Sequence, residues 1–107
     1  MKNVRNYFKN ITSEVFDIRE YEGHLEAKTD TVLFMVVEPH EGTKERWMLR
    51  VSPMASFDRW ANSTAIEEFF DTEAELCNYL NENQLRIYKS LLDYLSNDYE
   101  EIYEQTT

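Results

Sequence analysis

The sequence predicts an α+β fold: an antiparallel sheet of about four strands, with a short N-terminal helix and two or three C-terminal helices packed on it. Three observations predict it. From residue 14 to residue 52 apolar and polar residues largely alternate, the period of a half-buried strand. From Thr72 onward the apolar residues recur at three and four, the period of a helix. The stretches between the alternating segments are too short for parallel crossovers, so neighbouring strands run antiparallel.

The elements follow in order. Val4, Tyr7, Phe8 and Ile11 recur at helical spacing, which predicts a short helix over residues 2–11. Lys2, Arg5 and Lys9 give that helix a basic face, either solvated or clamped onto acidic helices of this chain or a second copy. Residues 14–21 alternate: Phe16, Ile18 and Glu20 point one way, and Val15, Asp17, Arg19 and Tyr21 the other. Glu22-Gly23 supplies a turn. A second strand begins near Leu25, breaks at Thr29-Asp30 and resumes from Thr31 to Glu38. Val32 to Val37 is apolar on both faces, which places it centrally in the sheet. Pro39 ends that strand, because proline cannot donate to a ladder. After the polar loop around Gly42, Glu45 to Ser52 forms the next strand, with Trp47, Leu49 and Val51 on one face and Arg46, Met48 and Arg50 on the other. Pro53 stops it, and Phe57 to Asn62 is a candidate fourth strand.

The period then changes. Thr72-Glu73-Ala74-Glu75 matches a capping box. The helix it opens runs to about Asn81 and buries Leu76, Cys77, Tyr79 and Leu80 at least in part. Asparagine favours caps and turns, so Asn81-Glu82-Asn83 reads as a break. Beyond it, Leu85, Tyr88, Leu92, Leu95, Tyr99 and Ile102 are spaced like a heptad seam. Ile87, Leu91 and Tyr94 widen that stripe. Ser96-Asn97-Asp98 either interrupts this helix or divides it into two.

Residues 1–107 fit a single domain. The chain is 42% hydrophobic and 14% aromatic, the composition of a folded protein rather than a disordered one. One cysteine makes no internal disulfide and no zinc site, which fits a reducing cytoplasm. The start lacks the apolar run of a signal peptide, and Val32–Val37 is far too short to cross a membrane. Two glycines cannot build a phosphate-cradling loop, and no cofactor is expected.

Charge is the most informative feature. Net charge is −10, which disfavours direct contact with nucleic acid or anionic lipid and favours basic partners. It is also lopsided. Residues 1–66 hold ten acids and nine bases, a net of −1; residues 67–107 hold eleven acids and two bases, a net of −9. On the C-terminal helices Asp93, Asn97, Glu100, Glu101 and Glu104 oppose the apolar stripe. Helical carboxylates three and four residues apart sit about 5–6 Å apart at Cβ, a spacing comparable to successive phosphates. Asp93, Glu100, Glu101 and Glu104 are therefore the first candidate contacts for a cationic groove, and Glu67, Glu68, Asp71, Glu73 and Glu75 a second patch. Tyr94 and Tyr103 flank the seam, where an amphipathic ring suits a protein interface.

Residues suited to catalysis are sparse. His24 and His40 sit beside predicted turns, where solvated side chains are expected. Cys77 lies in an acidic stretch, the wrong setting for a reactive thiolate. The carboxylate pairs Glu67-Glu68 and Glu100-Glu101 look exposed. Neither an enzyme nor a metal site is expected.

In overall character the chain resembles the small acidic inhibitors carried by phages and mobile elements, anti-CRISPR proteins among them. The likeness rests on length, scarcity of cysteine, acidity and α+β class rather than on a motif, so no functional position is carried over from it. It implies an inhibitor that binds the basic nucleic-acid-binding surface of a partner, such as a CRISPR effector nuclease, and blocks guide RNA or DNA. The alternative is a non-enzymatic structural or regulatory protein that forms a homodimer through the seam of Leu85, Leu92 and Leu95.

Overall fold

A computed structural model describes residues 1–54 and 66–89. The apolar run expected at the centre of the sheet is there. Strand β3 (Val32–Val37) is the middle strand of a five-stranded antiparallel sheet. Around it lie β1 (Asp17–Tyr21), β2 (His24–Lys28), β4 (Trp47–Pro53) and β5 (Ile66–Phe70), in the spatial order β1-β2-β3-β4-β5. Every strand pairs with its sequence neighbour, so the sheet is a meander.

The first hairpin pairs Tyr21 with His24 and leaves Glu22-Gly23 as its two-residue loop. Gly23 has φ +82°, a conformation that a side chain resists. In the second turn the Thr29 hydroxyl accepts from the backbone N–H groups of Thr31 and Val32, both at 3.2 Å. Threonine here bonds the local backbone and so ends β2 where the sequence suggested a break. Between β3 and β4 the chain makes a short 3₁₀ turn at Glu41–Thr43.

Helix α1 (Lys2–Asn6) runs into a wider π-turn over Tyr7–Ile11, closed by a 3.0 Å bond from Thr12 N–H to the Tyr7 carbonyl. An i→i+5 turn carries an extra residue. That rotates Ile11 away from Val4, Tyr7 and Phe8, and Ile11 is 55% exposed instead of buried with them. Helix α2 (Glu73–Glu82) opens at Thr72, whose hydroxyl accepts from Glu75 N–H at 3.1 Å. The Glu75 carboxylate reaches back to Asp71 N–H at 3.3 Å, a capping box displaced by one residue. Residues 84–89 add a further helical stretch.

These helices cover one face of the sheet. Val4, Phe8, Leu76, Leu80 and Ile87 join Leu25, Val36, Leu49 and Val51 in one buried cluster. Burying each such side chain is worth roughly 1.5–3 kcal/mol, so this face supplies most of the driving force. Phe8, Phe16 and Phe34 meet with ring centres 5.1–5.6 Å apart and knit the N-terminal π-turn to β3 and the approach to β1. The Tyr7 hydroxyl donates to the Leu80 carbonyl at 3.3 Å and accepts from Gln84 Nε2 at 3.0 Å, tying the N-terminal turn to both helical stretches.

Two expectations need correction, on the first strand and on Pro53, and two features add to what the sequence predicts. The first strand starts at Asp17 rather than residue 14, and Val15 is 93% exposed. The antiparallel sheet expected with about four strands has five described ones, the addition being Ile66–Phe70, which the doublets Glu67-Glu68 and Phe69-Phe70 disguise. Pro53 is the last residue of β4, opposite Val32, rather than the residue beyond it. Within the apolar stripe, Leu85 is 88% exposed while Ile87 is buried, so it is Ile87 that reaches the core at this point. Asn83 resets the helical phase: its backbone N–H and its side-chain amide both donate to the Tyr79 carbonyl at 2.9 Å. The candidate strand Phe57–Asn62 and the helices beyond residue 89 lie outside the described residues.

Candidate functional site

The site expected from sequence is anionic, and only its second patch falls among the described residues. Asp93, Tyr94, Glu100, Glu101, Tyr103 and Glu104 lie outside them. Of the second patch, Glu67 and Glu68 are on β5, Asp71 lies in the connection to α2, and Glu73 and Glu75 are in the first turn of α2. Acids there also suit the positive end of the helix dipole.

The structure does not assemble these five into one open row. Glu67 lies opposite Arg50 of β4 and pairs with it at 3.0 Å. Glu68 is on the other side of the strand, opposite Leu49, close enough to Tyr79 to help hold its phenol above the ordinary range, after the larger effect of burial. Asp71 pairs with Arg46 at 3.0 Å. Glu73, half-buried, is 3.2 Å from the Met1 ammonium and accepts from Val4 N–H at 3.4 Å. Glu75 caps the start of its own helix. In the described structure, then, most of this patch holds β5 and α2 in place.

The basic N-terminal face is used in a similar way. Arg5 forms a forked pair with Glu20 of β1, not with the C-terminal acids. The Glu20 carboxyl is held below its ordinary range, mainly by that hydrogen bond. Asp17 and Arg19 stand 4.0 Å apart along β1. Arg5, Arg19, Arg46 and Arg50 therefore each have a carboxylate partner within the front half of the chain or β5 and its turn. Sequence counting shows where net charge accumulates; it cannot show that these arginines are already committed. Residues 90–107 contain five acids and no lysine or arginine.

The residues suited to catalysis have structural roles. His24 stacks on Tyr21, with ring centres 4.6 Å apart and planes 11° from parallel, and lies 3.7 Å from Glu26. His40 caps the 3₁₀ turn: its Nδ1 accepts from Gly42 N–H at 2.9 Å, and its backbone N–H donates to the Thr43 hydroxyl at 3.1 Å. Cys77 is half-buried, and burial, reinforced by the Glu73 charge, pushes its thiol up to about 11. Such a thiol is a poor nucleophile at neutral pH. Among the described residues no group of three or more His, Cys, Asp or Glu could hold a metal ion. A small pocket between Tyr7, Phe16, Leu80 and Tyr88 measures about 10 Å³, room for one water at most. Among the described residues no helix is long and apolar enough to cross a membrane.

Comparison with protein-family models, with curated proteins and with solved structures finds no match.

Proposed function

We propose that this protein is an acidic inhibitor that binds the basic nucleic-acid-binding surface of a partner and keeps nucleic acid out of it. The manner is that of an anti-CRISPR protein blocking guide RNA or DNA at an effector nuclease. It works by occupancy rather than turnover, in the cytoplasm of a bacterial host. One observation carries this reading: the division of charge. The described arginines of the sheet and of α1 have carboxylate partners within the chain, while residues 90–107 carry five acids and no base. A solubility role needs net charge but not its segregation. A rod of anions would be steered toward a cationic groove, and capture would weaken with salt. Asp93, Glu100, Glu101 and Glu104 are the proposed contacts, with Tyr94 and Tyr103 beside them; Glu68, without an ion pair among the described residues, extends them on the second patch.

The test compares two triple reversals of equal charge. Glu100→Lys, Glu101→Lys and Glu104→Lys together should abolish inhibition of guide-directed DNA cleavage by purified effector nucleases and abolish salt-eluted capture of basic proteins from nuclease-treated lysate. Glu22→Lys, Glu41→Lys and Glu45→Lys, all exposed and outside the proposed site, should leave both intact. Equal behaviour of the two triples would reduce the proposal to bulk charge.

A second reading has one observation in its favour. Leu85, the first residue of the proposed seam, is 88% exposed and free of the core. A regulatory protein that dimerises through Leu85, Leu92 and Leu95 would use it. Sedimentation should then show a dimer that Leu92→Glu disperses.

A further inference from the structure

The sheet has a second face, opposite the helices, and its register arranges side chains in rows. One row crosses all five strands as Arg19, Glu26, Met35, Arg50 and Glu67. Its charge order is plus, minus, apolar, plus, minus. On one side of it Tyr21, His24, Val37, Met48 and Phe69 form a mostly apolar row. On the other side Asp17, Lys28, Leu33 and Ser52 form a shorter one. Tyr21 is 49% exposed and Phe69 37%, while Leu33, Met35 and Val37 along β3 are half-buried, and Met48 and Ser52 on β4, at 9% and 8%, lie at the floor of the face.

We infer that this face is a homodimer interface, with the two-fold axis lying along β3. Rotation about such an axis reverses each row and turns it over. The charged row then meets its own inverse. Each arginine keeps its in-chain carboxylate, Arg19 with Asp17 and Arg50 with Glu67, and gains a second one: Arg19 comes over Glu67 of the second copy, Glu26 over Arg50, and Met35 over Met35. The apolar row meets itself likewise, Tyr21 over Phe69 and Val37 over Val37. The central ridge of Leu33, Met35 and Val37 packs on its own image. Isologous contacts require this kind of self-complementarity, and an arbitrary charge order does not provide it.

Two further features favour a second copy as the occupant. The face balances its formal charge, with Arg19, Lys28 and Arg50 against Asp17, Glu26 and Glu67. Copies of a chain with a net charge of −10 repel elsewhere, and a neutral face lets them approach. The geometry also tolerates sheet twist. Facing sheets cross at roughly 30°. With strands about 4.8 Å apart, that displaces the Glu26–Arg50 pair by only about 2–3 Å, within reach of long side chains. The five strands span about 19 Å between outer axes. That is a small footprint beside the roughly 800 Å² per partner of a standard interface, so the dimer is weak and concentration-dependent. The inference depends neither on the proposed inhibitor function nor on the Leu85 seam.

Sedimentation velocity on the full chain, from micromolar to millimolar protein, tests it. The dimer fraction should rise with concentration. Met35→Glu, which sets two like charges on the axis, should abolish it. Reversing Arg50→Glu and Glu67→Arg together keeps opposite charges at their in-chain pair but sets like charges against Glu26 and Arg19 of the other copy, and should weaken the dimer about tenfold or more. Adding Glu26→Arg and Arg19→Glu restores opposite charges across the axis and should recover the association; a merely destabilised fold would not recover. Circular dichroism checks that each variant is folded. A wild-type monomer at millimolar concentration overturns the inference. So does a dimer indifferent to Met35→Glu or unrescued by the fourfold reversal, and so does one that only Leu92→Glu disperses.

Discussion

Truncating Ile87 should cost far more stability than truncating Leu85, two residues earlier. Leu85 and Ile87 both belong to the apolar stripe read from the sequence; the structure places Ile87 in the core, 1% exposed, against 88% for Leu85. Ile87 belongs to the cluster that includes Leu76, Leu80 and Phe34, and it lines the small void beside Tyr88. Replacing a buried isoleucine by alanine removes its transfer energy and leaves a cavity, together about 2–5 kcal/mol, and about 3 kcal/mol is expected at this site. For 107 residues the unfolding entropy near the midpoint is about 0.22 kcal/mol/K, so Ile87→Ala should lower Tm by about 13 °C. Leu85→Ala changes almost no buried area and should stay within about 0.5 kcal/mol, or about 2 °C. Thermal and urea unfolding followed by circular dichroism measure both. A Leu85→Ala loss equal to or larger than that of Ile87→Ala would refute the placement of residues 84–89 on the sheet.

Three other outcomes follow from local chemistry. A Cβ on residue 42 would come within 2.6 Å of His40 Cε1, so Gly42→Ala should displace the imidazole that caps the 3₁₀ turn and cost on the order of 1 kcal/mol, measured by urea unfolding. Cys77, with its thiol raised from 9.0 to about 11, should alkylate with iodoacetamide at pH 8 roughly 100-fold more slowly than the same thiol in the urea-unfolded chain. Because the folded value is the higher one, this group's contribution to stability is complete below pH 9.0 and is lost as pH rises through about 11. Glu20 behaves in the opposite sense: its folded value lies below the ordinary 4.5, so its contribution is present above that pH and is lost as pH falls past it. Glu20→Gln should flatten that part of the acid unfolding profile.

Which elements were legible in the sequence has a physical explanation. Val32–Val37 announced its central position because a strand buried on one face and half-buried on the other has no room for charge. Thr72 and Glu75 announced α2 because caps act within a single turn. The strand Ile66–Phe70 was hidden because an edge strand tolerates charge, and Glu67 and Glu68, adjacent in sequence, point to opposite sides of it. Arg50 on β4 was a usable clue, since a strand arginine facing away from the core calls for a cross-strand acid. Leu85 turns outward and Ile87 inward because the core phase is set by Leu76 and Leu80 before the break at Asn83. For the site, sequence located the excess charge but not the pairings, because Arg46–Asp71 and Arg5–Glu20 join residues 25 and 15 positions apart.

The central functional claim is that the anions of residues 93–104 act as a positioned surface rather than as dispersed charge. The most direct measurement is competition: immobilise the chain, load a purified guide-free effector nuclease that it captures, and titrate duplex DNA and guide RNA against the complex. The account predicts mutually exclusive binding, weakened by salt and lost in the triple reversal of Glu100, Glu101 and Glu104 but not in that of Glu22, Glu41 and Glu45. A ternary complex in which the nuclease holds nucleic acid and this protein together, with affinity unchanged by the first triple, would contradict it.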